Sequence, residues 1–331
     1  MTDINRRSAV KAALGASGLL ALGVMPSFAQ TMTESARIVV GFPPGGAPDL
    51  IARRLAEQLT GKLAKAVIVD NRPGAAGRIA VDIARQSPAD GTTLLLNPAG
   101  VLTINPHSYK KLNYDPFKDL APVGLAAYVD FGFAVGPAVP ADVKDLADFV
   151  KWAKANMGKV NYASPAAGSP THFVGDLLSR SQGLEMTHVP YRGGVAVLND
   201  LMGGQVAVGI LTLGDMVQHD KSGKLRLLAS TGRARSRFTP NLATFTEQKI
   251  PGMDLSDWTG VYIAGNPAPE VVARVSALLA TVTSSAQYAQ ALAVSSLEAA
   301  SSTPQELDRL ARADFERWGP IVRASGFVAD V

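Results

Sequence analysis

The sequence has no cysteine, which excludes disulfides, thiolate metal sites, iron–sulfur clusters and a cysteine nucleophile. Charge is sparse as well: Asp, Glu, Lys and Arg make up 18% of the chain, against about 25% in an average protein. With 47% hydrophobic residues, the chain buries a sizeable core and is not disordered. Histidine is scarce. His107, His172, His188 and His219 show no H-E-x-x-H or other metal-ligand spacing. There is no G-x-S-x-G elbow and no G-x-G-x-x-G fingerprint. Gly41 and Gly46 have the G-x4-G spacing, but Ala47 and Pro48 follow where a phosphate-binding loop needs Lys and Ser or Thr. No metal, cofactor or catalytic residue is expected.

Nor is there a basic stripe. The formal charge is +4, but residues 1–29 carry Arg6, Arg7 and Lys11 against Asp3, leaving +2 for the remainder. Arg53-Arg54, Lys110-Lys111 and the arginines at 233, 235 and 237 are scattered, so a nucleic-acid partner is not expected. Residues 1–29 have the form of an export signal: a basic start, an apolar run over 12–25 too short to span a membrane, and Ser27-Phe28-Ala29 as a small-residue cleavage site. The Arg6-Arg7 pair and the glycines in the apolar run resemble a twin-arginine signal, with an ordinary secretory signal as the alternative. The expected location of the mature protein is the periplasm.

What the chain has in excess is glycine and proline, 31 and 21 residues, or about 16% against a usual ~12%. Many fall between a short apolar run and a helical pattern. Residues 37–40, 67–69, 93–96, 160–163, 206–213 and 225–229 read as strands. Residues 48–61, 79–85, 270–281, 286–292 and 304–325 read as helices, as do the segments after 171 and after 194. The alternation predicts an α/β fold with mainly parallel sheets, whose glycine turns lie at the carboxyl edge where such sheets bind ligands. No linker cluster divides the chain, which fits two lobes joined by crossing strands.

Three loops carry the candidate chemistry. Phe42, Pro44, Gly45, Gly46, Ala47 and Asp49 lie between a strand and a helix, where glycines let the backbone approach a ligand and the helix start offers N–H groups to an anion. A structural turn is the alternative. Ser164, Gly168, Ser169 and Thr171 form a second such loop, in which Ser169 or Thr171 also suits a helix cap. Tyr191, Arg192 and Gly193 precede a third helix start.

Taken in order, residues 38–49 (IVVGFPPGGAPD), 69–76 (VDNRPGAA), 89–96 (ADGTTLLL), 104–123, 160–169 (VNYASPAAGS), 189–194 (VPYRGG), 203–206 (GGQV), 221–229, 258–260 and 318–326 resemble the substrate-binding proteins of tripartite tricarboxylate transporters, the Bug-type periplasmic receptors. The resemblance covers nearly all of the chain beyond residue 29. It implies an α/β, two-lobed type II periplasmic binding protein fold with a ligand cleft between the lobes. Residues 31–129 and 257–331 would form one lobe and 130–256 the other. It further implies a monomer that captures a small organic carboxylate and delivers it to a membrane permease. The 42–49 and 164–169 loops would hold one carboxylate, while Ala99 and the 191–194 segment would sit on further cleft loops. A sensor without a transporter, or an enzyme on the same scaffold, are the alternatives. One departure concerns Leu211, which stands where the family often has aspartate. The implied distal ligand surface is Leu211 and Thr212, favouring an acid without an amine.

Overall fold

The computed structural model describes residues 32–329; the export-signal reading of residues 1–29 falls outside them. In chain order the elements are β1 (Ser35–Val40), α1 (Ala47–Leu59), β2 (Ala66–Asn71), α2 (Arg78–Arg85), β3 (Thr93–Pro98), α3 (Ala99–Thr103), α4 (Asn105–Ser108) and β4 (Leu120–Val129). Next come β5 (Phe131–Val135), α5 (Leu146–Ala155), β6 (Val160–Ser164), α6 (Pro170–Ser181), β7 (Met186–Pro190), α7 (Gly194–Met202), β8 (Val208–Thr212), α8 (Leu213–Lys221) and β9 (Arg226–Ser230). The chain ends with β10 (Asp257–Ala264), α9 (Pro269–Thr283), α10 (Ala286–Ala293), β11 (Glu298–Ala299) and α11 (Pro304–Ser325).

The strands form two sheets, ordered β11-β4-β10-β3-β1-β2 and β7-β6-β8-β5-β9. Both are covered on two faces, which explains their continuous apolar runs. In the first sheet Ile38, Val40, Leu94 and Leu96 join one buried cluster, while Val39 and Leu95 join the cluster on the opposite face with Trp258 and Leu307. Helix α1 adds Ile51, Leu55 and Leu59 at helical spacing. Helix α11 starts in a capping box made by Thr303 and Glu306 and stops at Gly326, whose φ of 68° suits glycine.

The sheets are mixed, not mainly parallel. β1 runs parallel to β2 and β3, and β6 parallel to β7 and β8, but β10 is antiparallel to β3 and β4, and β5 antiparallel to β8 and β9. The reversal comes from strands that leave one sheet and enter the other with no intervening helix. β4 becomes β5 across the single residue Asp130, and the chain returns from β9 to β10 through residues 231–256. Side chains tie the two crossings together: Ser256 donates to Asp130 Oδ1 at 2.7 Å, and Phe131 N–H donates to Thr231 Oγ1 at 2.9 Å. The backbone of Asp130 also accepts from Leu213 N–H at 2.8 Å. No described helix is long and apolar enough to cross a membrane.

Candidate functional site

β3 and β8 run directly into a helix at their carboxyl ends, and β1 and β6 do so through the loops 41–46 and 165–169, so four helix starts follow strand ends. At the first, Gly46 is the residue preceding α1 and supplies no side-chain cap. Pro44, Gly45 and Gly46 are exposed, and Ala47 is half-buried. The first-turn N–H groups therefore face outward without an intrahelical acceptor, the arrangement that attracts an anion. Gly45 has φ 89°, which turns the chain back over the helix.

Asp49 belongs to the frame of this loop. It is 2% exposed and accepts from Gly45 N–H and Arg53 Nε, each at 2.9 Å, and from Asn71 Nδ2 at 3.0 Å. Asn71 also donates to the Phe42 carbonyl at 3.1 Å. Burial acts to raise the Asp49 carboxyl, but the bonds from Arg53, Gly45 and Asn71 outweigh it and hold the group below its ordinary value. Phe42 is half-buried against Gly77, where an added Cβ would lie 3.4 Å from Phe42 Cε2 and 2.9 Å from Val101 Cγ2. The strained turn Gly74-Ala75-Ala76-Gly77, positive in φ throughout, thus joins the first loop to α3.

Ala99 opens α3 and is 2% exposed. Its N–H goes to the Asp257 carboxylate, which also accepts from Trp258 N–H at 3.0 Å. Burial first, and the nearby Asp314 charge second, push Asp257 up to about 7. Beside it, an added Cβ on Gly100 would sit 3.4 Å from Pro170 Cγ, so α3 of the first sheet reaches α6 of the second.

The 164–171 loop is internally organised. Ser164, fully buried, donates from Oγ to the Ala166 carbonyl at 3.0 Å and contacts His188 Nε2 at 2.8 Å. Ser169 caps α6: its Oγ accepts from His172 N–H at 3.3 Å and donates to the Ala166 carbonyl at 2.7 Å. Thr171, 2% exposed, contacts Ser169 Oγ at 2.9 Å. The hydroxyls of Ser164 and Ser169 are therefore engaged within the loop, leaving backbone N–H groups as the donors suited to a ligand. Gly168, at φ 73°, packs against Phe327, whose Cε1 would lie 2.6 Å from an added Cβ.

The 190–194 segment zips onto this loop. Tyr191 N–H donates to the Ser164 carbonyl at 2.9 Å and Gly193 N–H to the Pro165 carbonyl at 3.0 Å. The Tyr191 hydroxyl turns away to Asp200 at 2.6 Å, and burial together with that carboxylate pushes it up to about 12. Gly193 is exposed with φ 102° and open space around it. Leu211 is 1% exposed, packed with Val197, Leu201 and Met216. Its Cδ2 would lie 3.3 Å from an added Cβ on Gly194, so it sits directly under that helix start. Thr212 precedes α8, half-buried and making no side-chain cap.

Thus the 164–171 and 190–194 loops and Leu211 form one group, the 42–49 loop and Ala99 another, and the Gly100–Pro170 contact bridges them. The sequence reading missed Asp257 and Phe327, which lie far from the loops in sequence, and the bonds that His172 and His188 make to Gly168 and Ser164 of the second loop. It also missed Asp215, in the first turn of α8, whose Oδ2 would lie 3.8 Å from an added Cβ on Gly194. Solvent reaches Asp215 from one side, while the surrounding protein raises its carboxyl above the ordinary value. Among the described residues, no group of three or more acidic or imidazole side chains could hold a metal ion. A groove of about 1020 Å³ lies elsewhere, lined by Pro122, Val272 and Ser302. The helix start beside it is closed by the Thr303–Glu306 box, so it offers an anion less.

Two mixed sheets joined by crossing strands, with helix starts at the ends of their strands, have the two-lobed fold of periplasmic binding proteins. Residues 51–327 match the tripartite tricarboxylate transporter family receptor, and the chain belongs to that family. The protein BugT of Bordetella pertussis is 30% identical over 88% of this chain and 89% of its own. Among solved structures, an R. palustris protein with adipate is 29% identical, with a TM-score of 0.82 over 89% of this chain and 98% of the other. The periplasmic binding protein BugD is 25% identical, with a TM-score of 0.79 over 90% and 99%. Members of this family are periplasmic solute-binding receptors.

Proposed function

We propose that this protein is an exported receptor that captures a small organic carboxylate between its lobes and delivers it to the permease of a tripartite tricarboxylate-type transporter. The observation that carries the reading is the pair of helix starts at Gly46–Ala47 and Ser169–Thr171. Both present backbone N–H groups and follow strands of different sheets, and α3, which opens from the first sheet, reaches Pro170 of the second start through Gly100. A carboxylate held by both favours the closed arrangement, because both lobes touch it only when shut. The lobes are residues 31–129 with 257–331, and residues 130–256. Export is by cleavage after Ala29, through the twin-arginine route that Arg6-Arg7 suggests. The protein acts as a monomeric receptor and catalyses nothing.

Adipate beside the similar R. palustris protein supports a dicarboxylate or aliphatic acid as ligand class. The apolar Leu211 beneath Gly194 offers an ammonium no partner, and the Asp215 carboxyl beside it, raised by burial, is a poorer one than an ordinary carboxylate, which favours an acid without an amine. Calorimetric titration with adipate, malate, benzoate, aspartate and glutamate tests this, together with mass spectrometry of any acid released from freshly purified protein. The expected result is binding of a non-amino acid and a raised melting temperature. Tight aspartate or glutamate binding, with no response to the others, would overturn the ligand class, and turnover of any acid would overturn the receptor.

A further inference from the structure

We propose that His172 and His188 are positioning residues of the 164–171 loop, so that protonating this pair loosens the loop and lowers carboxylate affinity in acid. The inference rests on the reading that this loop holds ligand. The two rings stack with centroids 3.9 Å apart and planes within 15°. Each ring grips the loop at a different point. Gly168 N–H donates to His172 Nδ1 at 3.1 Å, which requires a bare nitrogen there and so a neutral imidazole. Ser164 gives its own proton to the Ala166 carbonyl, so its 2.8 Å contact with His188 Nε2 is satisfied by an N–H on that ring. Tautomers follow here from the hydrogen-bond network. A proton added to His172 Nδ1 would face the Gly168 N–H donor to donor, and two stacked imidazolium ions would repel.

The surroundings hold both rings neutral. From β6, Tyr162 lies with its ring 4.9 Å from His188 and donates its hydroxyl to the His172 carbonyl at 3.1 Å. On α6 itself, Asp176 favours a charged His172, but it is paired with Arg180 one turn on. From α11 and the residues after it come only aromatic groups: Phe327 meets His172 edge-on at 5.2 Å, and Trp318 packs on Phe173. Burial lowers His172 against the pull of Asp176, and burial with the His172 charge takes His188 down to about 4. Both rings lie below the ordinary histidine, so the His172 acceptor for Gly168 is complete at neutral pH and is lost as pH falls below about 6.5, while His188 keeps its Nε2–H to Ser164 and adds only the repulsion between the charged rings.

The test uses the mature protein and adipate. Histidine-ring and Gly168 amide NMR signals are followed from pH 7.5 to pH 4.5, and adipate affinity is measured over the same range for wild type and His172→Gln. Glutamine keeps an acceptor for Gly168 but does not titrate, and the ratio of the two affinities cancels the protonation of adipate itself. The expected result is that both rings titrate below the ordinary midpoint, that Gly168 shifts with them, and that the wild-type-to-variant affinity ratio falls about threefold or more. Rings titrating normally, or a Gly168 amide that ignores them, would overturn the positioning role and leave the receptor reading intact. This arm needs no variant to fold. Correct titration with a flat affinity ratio would show that the loop does not hold the carboxylate, overturning the inference. Failure of every acid in the panel at every pH would remove the ligand class and this inference together.

Discussion

Replacing Asp257 by asparagine should stabilise the protein increasingly as pH rises. The Asp257 carboxyl is pushed from 3.8 to about 7 by burial and by the Asp314 charge, while its oxygens accept from Trp258 and Ala99 N–H groups. A folded-state value above the unfolded one means that the favourable contribution is complete below the unfolded value and disappears as pH rises to about 7. Between pH 5 and pH 8 the folded state therefore pays for about two units of displaced titration, or ~2.7 kcal/mol at full strength. Solvent still reaches part of the residue, so we take about half, ~1.4 kcal/mol. Asparagine keeps an oxygen for the Ala99 N–H and carries no charge, so the loss is absent from the variant. For a chain of this size ~1.4 kcal/mol corresponds to ~3 °C. Melting curves of both proteins at half-unit intervals from pH 4.5 to pH 8.5 measure it. The variant's advantage should widen by that amount and then level off above pH 7. A constant difference across the range would refute the buried, protonated carboxyl.

Gly46→Leu should abolish carboxylate binding while leaving the melting temperature near the parent's, because φ is −79° and an added Cβ meets nothing closer than 3.8 Å. Calorimetry with adipate checks this, and unchanged affinity would remove the first loop from the site. Leu211→Ala should lower unfolding free energy by about 2–4 kcal/mol in a denaturant titration, as expected for a buried leucine. An aspartate there would desolvate a charge among Val197, Leu201 and Met216, so loss of folding would mask any effect on ligand. Thr303→Ala, which dismantles the capping box of α11, should cost about 1 kcal/mol in the same titration without changing adipate affinity.

How much of this was legible beforehand depends on how local the cause is. Helix α11 appears in the sequence within its observed bounds because Thr303, Pro304 and Glu306 declare its start. The loops at 42–49, 164–171 and 190–194 also announce themselves, since glycine and proline mark the backbone turns directly. Strands β4, β5 and β10 were not read, and with them went the parallel-sheet expectation. Their apolar runs do not alternate, and nothing local says that a strand entering from the other sheet will run in reverse. Asp49 is expected among the ligand contacts, and the structure adds a framing role, since it ties Gly45, Arg53 and Asn71. That role needs Asn71, 22 residues away. His172 and His188 carried no metal spacing, and only the parallel pairing of β6 and β7 brings the second ring onto Ser164 and Tyr162.

The one-residue passage from β4 to β5 has a mechanical consequence. With only Asp130 between two hydrogen-bonded strands, there is no slack along which the sheets can slide. Any change in the angle between the sheets along this strand must pass through the backbone angles of Asp130, which Ser256 ties to the returning strand. A joint of that kind works as a caliper. On the proposed reading, the span of the acid between the lobes would set that angle, and the outer surface would carry it to a partner that touches no atom of the acid.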